Sequence, residues 1–67
     1  MTHSTATAAQ APAISVADRE DAAGDAFNGL NELLWHHVRE RIGHTPSYNE
    51  CIEIVQGMPA DELQLYL

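Results

Sequence analysis

Lysine is absent from this 67-residue chain, and its only basic residues besides histidine are Arg19, Arg39 and Arg41, set against ten acids. The resulting formal charge of −7 disfavours phosphate backbones and anionic membranes, both of which are held by clustered Lys and Arg. Beyond Arg41 every formal charge is negative. The lone cysteine, Cys51, rules out an intramolecular disulfide. No apolar run approaches the ~20 residues that span a bilayer, and the N-terminus lacks the basic start and apolar core of a secretory signal. A cytoplasmic location is therefore expected, and an Ala- and Asp-rich, lysine-free composition suggests a GC-rich bacterial or phage genome.

Met1 to about Val16 is a run of small residues, and Asp18-Arg19-Glu20-Asp21-Ala22-Ala23 is followed by Gly24, which weakens a helix. This reading makes 1–24 a disordered or partly helical tail and 25–67 the folded domain. With Asp25 as cap, the spacing of Phe27, Leu30, Leu34 and Val38 predicts a first helix over about 26–42, closed by Gly43. Its polar arc holds Asn28, Glu32, His36, Arg39 and Glu40. The apolar arc runs from Leu33 to Trp35 over roughly 200°, more than one short neighbouring hairpin covers.

A second helix opens with Thr45 as cap and Pro46 at its first position, or with Ser47 and Glu50 as a capping box. Tyr48, Cys51, Ile52, Val55 and, at the edge, Ile54 form its expected buried stripe, and Gly57 its left-handed cap. Pro59 starts a third helix with Asp61 and Glu62 in its first turn. Leu63, Tyr66 and Leu67 share one face, with Leu65 opposite. The expected fold is all-α, a three-helix mini-bundle with a helix-turn-helix-like layout and no strand.

The stretch Gly43-His44-Thr45-Pro46-Ser47-Tyr48-Asn49-Glu50 resembles the Gly-x-Pro-Pro-Ser-x-x-Glu segment of the winged-helix domain in the SOS repressor family. The resemblance implies a DNA-binding transcriptional regulator. This chain departs from that pattern in placing Gly57 one residue late, in lacking a wing, and in carrying Asp61 and Glu62 where a recognition helix would read bases. Carboxylates aimed at a major groove are repelled by phosphate.

No metal or other cofactor is expected. His36 and His37 diverge by about 100° on a helix, whereas paired ligands usually sit at i and i+4, and no second cysteine completes a tetrahedral set. Cys51 lies on an apolar stripe beside Glu50 and Glu53, which disfavour thiolate. A folded part this small leaves little room for a water-excluding pocket around a catalytic triad, so a non-enzyme is expected.

A short chain with excess apolar surface and neither disulfide nor metal is expected to share that surface with another molecule. The candidate interface residues are Leu33, Trp35, His37, Leu65 and Tyr66, with a homodimer and a protein partner bearing a basic surface as the expected occupants. The resulting expectation is an adaptor or stoichiometric inhibitor. Two alternatives compete with it: the helix-turn-helix regulator, and a nucleic-acid mimic whose acids block a basic groove on an enzyme.

Overall fold

The computed structural model describes residues 13–67, and these form four helices, α1 (Val16–Phe27), α2 (Glu32–Ile42), α3 (Tyr48–Gly57) and α4 (Ala60–Gln64), with no strand among them. The all-α mini-bundle is as the sequence predicts. It contains one helix more than expected, because Val16–Phe27 is a full element of the fold. The part of the predicted tail that falls on residues 1–12 lies outside the described residues.

Ser15 starts α1: its backbone is extended and its hydroxyl accepts from the Asp18 amide at 3.0 Å. Ala22, Ala23 and Ala26 on this helix are buried, and Ile14 packs against the same core. The domain therefore begins well before residue 25. The small side chains of these alanines let α1 and α3 lie close together. The contact is close enough that the Cys51 Sγ reaches the Ala23 carbonyl at 3.5 Å.

The predicted helix over 26–42 is interrupted. Asn28 caps α1 through its own amide and donates its side-chain amide to the Gly24 carbonyl at 2.9 Å. Gly29 then turns the chain at φ 83°, a conformation that favours glycine. Asn31 begins α2, with its side-chain oxygen accepting from the Leu34 amide at 3.2 Å. The apolar spacing of Phe27 and Leu30 with Leu34 had bridged two separate helices. Local Asn-Gly turn chemistry overrides it.

Gly43 closes α2 as predicted, and it does so in the left-handed region at φ 86°. Of the two proposed starts for α3, the capping box forms: the Ser47 amide donates to the Glu50 carboxylate at 2.8 Å, and the Glu50 amide to the Ser47 hydroxyl at 3.2 Å. Gly57 does not adopt a left-handed cap and is instead the last residue of α3. Met58 ends the helix by turning extended (φ −75°, ψ 140°), the conformation that a following proline, here Pro59, favours.

The carbonyls at that helix end are gathered by Arg19. Its Nη1 donates to the carbonyls of Val55 at 2.8 Å, Gln56 at 3.3 Å and Met58 at 2.7 Å, while Nε donates to Ile14 at 3.2 Å. Gln56 returns the link by donating to the Val16 carbonyl at 3.2 Å. The α1–α3 contacts therefore run antiparallel: Val16 with Gln56, Arg19 with Val55, Ala23 with Cys51, Phe27 with Tyr48. Leu34 and Val38 of α2, Met58, and Leu63 of α4 complete the core.

Candidate interaction surfaces

Burial in so short a chain leaves several large apolar side chains outside. Leu30 is 77 % exposed, Leu33 69 %, Leu65 79 % and Leu67 58 %, values that set them apart from the fully enclosed Leu34 and Leu63. The sequence placed Leu33 and Leu65 at or beyond the edges of their buried stripes, and both are open. Leu30 and Leu67, assigned to buried faces, are corrections. Leu30 sits in the turn before α2, and Leu67 lies past the end of α4.

These leucines gather toward one end of the fold. Asn31 donates its side-chain amide to the Tyr66 carbonyl at 2.7 Å, which ties the turn holding Leu30 to the C-terminal segment holding Leu65 and Leu67. Tyr66 then runs along α2 to His37, with its hydroxyl 3.2 Å from the imidazole Nδ1 and the ring centroids 5.0 Å apart. Leu33 lies one turn before His37 on the same helix face. The Glu62 carboxylate stands 3.6 Å from His37 Nε2, a buried nitrogen without a hydrogen-bond partner. The Tyr66 hydroxyl donates to Nδ1 in the tautomer whose ring proton is on Nε2, the nitrogen that faces Glu62. His37 and Tyr66 therefore meet within the chain, where they pin the C-terminal segment to α2 and leave the leucines around them open.

Trp35 lies at the opposite edge of α2, about 200° round the helix from Leu33. It is half-buried and meets Phe27 edge-on, with centroids 6.1 Å apart, and Phe27 meets Tyr48 in the same manner at 5.4 Å. Phe27 and Tyr48, both expected inside, are 41 % and 46 % exposed. They close the end of the α1–α3 pair as a surface cluster, an arrangement aromatic rings favour for its edge-to-face electrostatics. Glu32 and Arg39 flank Trp35 one turn away on either side, so its borders carry opposite charges. The structure thus separates the predicted interface residues into two surfaces, aromatic and leucine-rich.

A further pair of titratable groups forms locally at the start of α3. Glu50 is held below the usual carboxylate range, first by the Ser47 backbone amide and then by its hydrogen bond to His44, whose Nε2 is 3.1 Å away. Among the described residues no three of His, Cys, Asp and Glu assemble into a metal-binding group. A shallow surface depression at the end of α2 is lined by Arg39, Glu40, Gly43 and His44.

Cys51 is fully enclosed, and burial pushes its thiol pKa up. In the folded protein it is expected to react with a maleimide far more slowly than in denaturant, at a rate that follows global unfolding. Labelling as fast as that of free cysteine would show an accessible, activated thiol instead.

Among the described residues no helix is long and apolar enough to cross a membrane. No family model, no curated protein and no solved structure matches this chain.

Proposed function

We propose that this chain is a non-enzymatic protein-interaction module, a homodimer that acts as an adaptor or stoichiometric inhibitor of a larger protein with a basic surface. The observation that carries this reading is the pair of apolar surfaces, one aromatic and one leucine-rich, left open at opposite edges of α2 in so short a chain. The buried free thiol suits a reducing cytoplasm, and the lysine-free, alanine-rich composition suits a bacterial or phage source. The helix-turn-helix alternative gains no support from α4, which has five residues and carries Asp61 and Glu62 in its first turn.

The two surfaces differ in what they can pair with. A two-fold contact is self-complementary, so whatever borders it on one copy must fit the same border on the other. Glu32 and Arg39 on either side of Trp35 meet that condition, because antiparallel pairing of two α2 helices sets each Glu32 against the other copy's Arg39. The aromatic surface is therefore the dimer contact, with Trp35 as its anchor.

Sedimentation equilibrium tests this arrangement. Trp35→Ala is expected to weaken the dimer by about 100-fold. Glu32→Arg alone is expected to weaken it by repulsion, and adding Arg39→Glu should restore it, a rescue that a merely misfolded variant could not show. A wild-type protein that stays monomeric at all accessible concentrations and captures no protein from a bacterial lysate would overturn the reading.

A further inference from the structure

We infer that the leucine-rich end of the fold, formed by Leu30 and Leu33 of the α2 start and by Leu65 and Leu67 of the C-terminal segment, receives a basic amphipathic helix of a partner protein. This deepens the interaction-module reading and rests on it. Three features of the surface define the occupant.

The first is charge. Asp61 and Glu62 stand one turn before Leu65, and the Glu62 carboxylate lies against the segment that Tyr66 and His37 hold to α2. Among the described residues no arginine stands at this end, where Glu62 meets only the His37 imidazole: Arg19 is engaged with the carbonyls at the far end of α3, and Arg39 and Arg41 lie in the last turn of α2. A second copy would bring the same acids against these, whereas Lys or Arg on a partner would complement them. This is the opposite of the mixed border around Trp35, and it is why the occupant is a different chain.

The second is backbone. The described residues offer no strand edge, so an extended segment laid across the leucines would bury its amides unpaired. A helix arrives with its backbone already satisfied and can set leucine-sized side chains at i, i+3, i+4 and i+7 against the patch. The third is support beneath the surface. The hydrogen bonds from Asn31 to the Tyr66 carbonyl and between Tyr66 and His37 hold the C-terminal segment in place before any partner binds, which lowers the entropy lost on docking.

The test uses the purified full chain and two synthetic helical peptides with the same leucine stripe, one carrying lysine on its polar face and the other glutamate. By fluorescence anisotropy the lysine peptide should bind at least about tenfold more tightly than the glutamate peptide, and should weaken as salt is raised. Leu33→Ser with Leu67→Ser, which leaves every charge in place, should reduce that affinity by about tenfold or more. Asp61→Asn should also weaken it, while Glu20→Gln with Asp21→Asn on α1 should not. Circular dichroism confirms that each variant is folded.

Equal binding of the two peptides, or lysine-peptide binding that ignores the leucine substitutions, would overturn the assignment. So would sedimentation showing that Leu33→Ser, rather than Trp35→Ala, dissociates a dimer, since a second copy would then occupy this end. If a native protein is captured equally well by wild type and by the leucine variant, the module reading survives and this surface fails. Loss of all capture and of dimerisation in the wild type is the separate result that removes the reading itself.

Discussion

Replacing Arg19 with methionine is expected to lower the thermal midpoint of unfolding by about 10 °C or more, corresponding to a loss of about 2–3 kcal/mol. Methionine keeps most of the aliphatic stem, so the change isolates the guanidinium. That group donates to four carbonyls, three of them at the end of α3, where helix geometry leaves few backbone donors in reach and the Val55 carbonyl also accepts the Met58 amide. Hydrogen bonds from a charged donor are worth more than neutral ones, and removing the donor leaves partly buried carbonyls seeking water. The helix dipole adds to the effect, because a cation at a helix C-terminus is favourable. Arg19→Lys should recover only part of the loss, since an ammonium is a point charge without the planar fork that reaches several acceptors at once. Neutralising exposed Glu20 beside it should shift the midpoint little. A melting curve for Arg19→Met within about 2 °C of wild type would show that this clasp is not what holds α1 to the fold.

The same arginine explains what sequence alone missed. Caps are local, so Ser47 with Glu50 and Gly43 at the end of α2 could be read from neighbouring residues, and both appear where expected. By contrast, α1 depends on contacts 36 to 39 residues away, and nothing near Arg19 in the chain announces them. Its buried face is made of alanines and is interrupted in sequence by Gly24, which counts against a helix locally, although the smallness of those alanines is what allows close packing. The break at Asn28-Gly29 has a local signature, but the apolar spacing of Phe27, Leu30 and Leu34 runs straight across it and points to a continuous helix. The exposure of Leu33 and Leu65 was legible because a residue at the edge of a wide apolar arc, or opposite a buried one, has nowhere inside to go, whereas Trp35, at the other edge, packs partly against the core. Phe27 and Tyr48 were not, since their exposure follows from where α1 and α3 meet, a tertiary fact. Their edge-to-face contact joins the end of one helix to the start of the other, and it makes Trp35 part of a cluster rather than a lone ring.

Ala23→Leu is the second substitution with a large expected effect, a loss of about 1–3 kcal/mol, or more if the helices cannot separate. Ala23 is fully enclosed, and its carbonyl lies against the Cys51 sulfur at 3.5 Å, so added carbon atoms have no space that does not displace α3. Displacement is costly twice over, because the Arg19 contacts and the alanine packing belong to the same antiparallel pair. A loosely attached tail would respond differently: a larger apolar residue would find its own contacts, and stability would hold or rise. Ala17→Leu, on the exposed side of α1, supplies the comparison and should stay within about 0.5 kcal/mol of wild type. Combining Ala23→Leu with Cys51→Ala removes volume directly opposite, so the double variant should be less destabilised than the sum of the two single changes. Urea unfolding followed by tryptophan fluorescence measures all four proteins, because Trp35 packs against the core that these changes perturb. Strict additivity in that cycle, or a neutral Ala23→Leu, would mean that α1 and α3 are not in close contact in solution. The exposed leucines and aromatic rings would then have to be located again from a different packing of the chain.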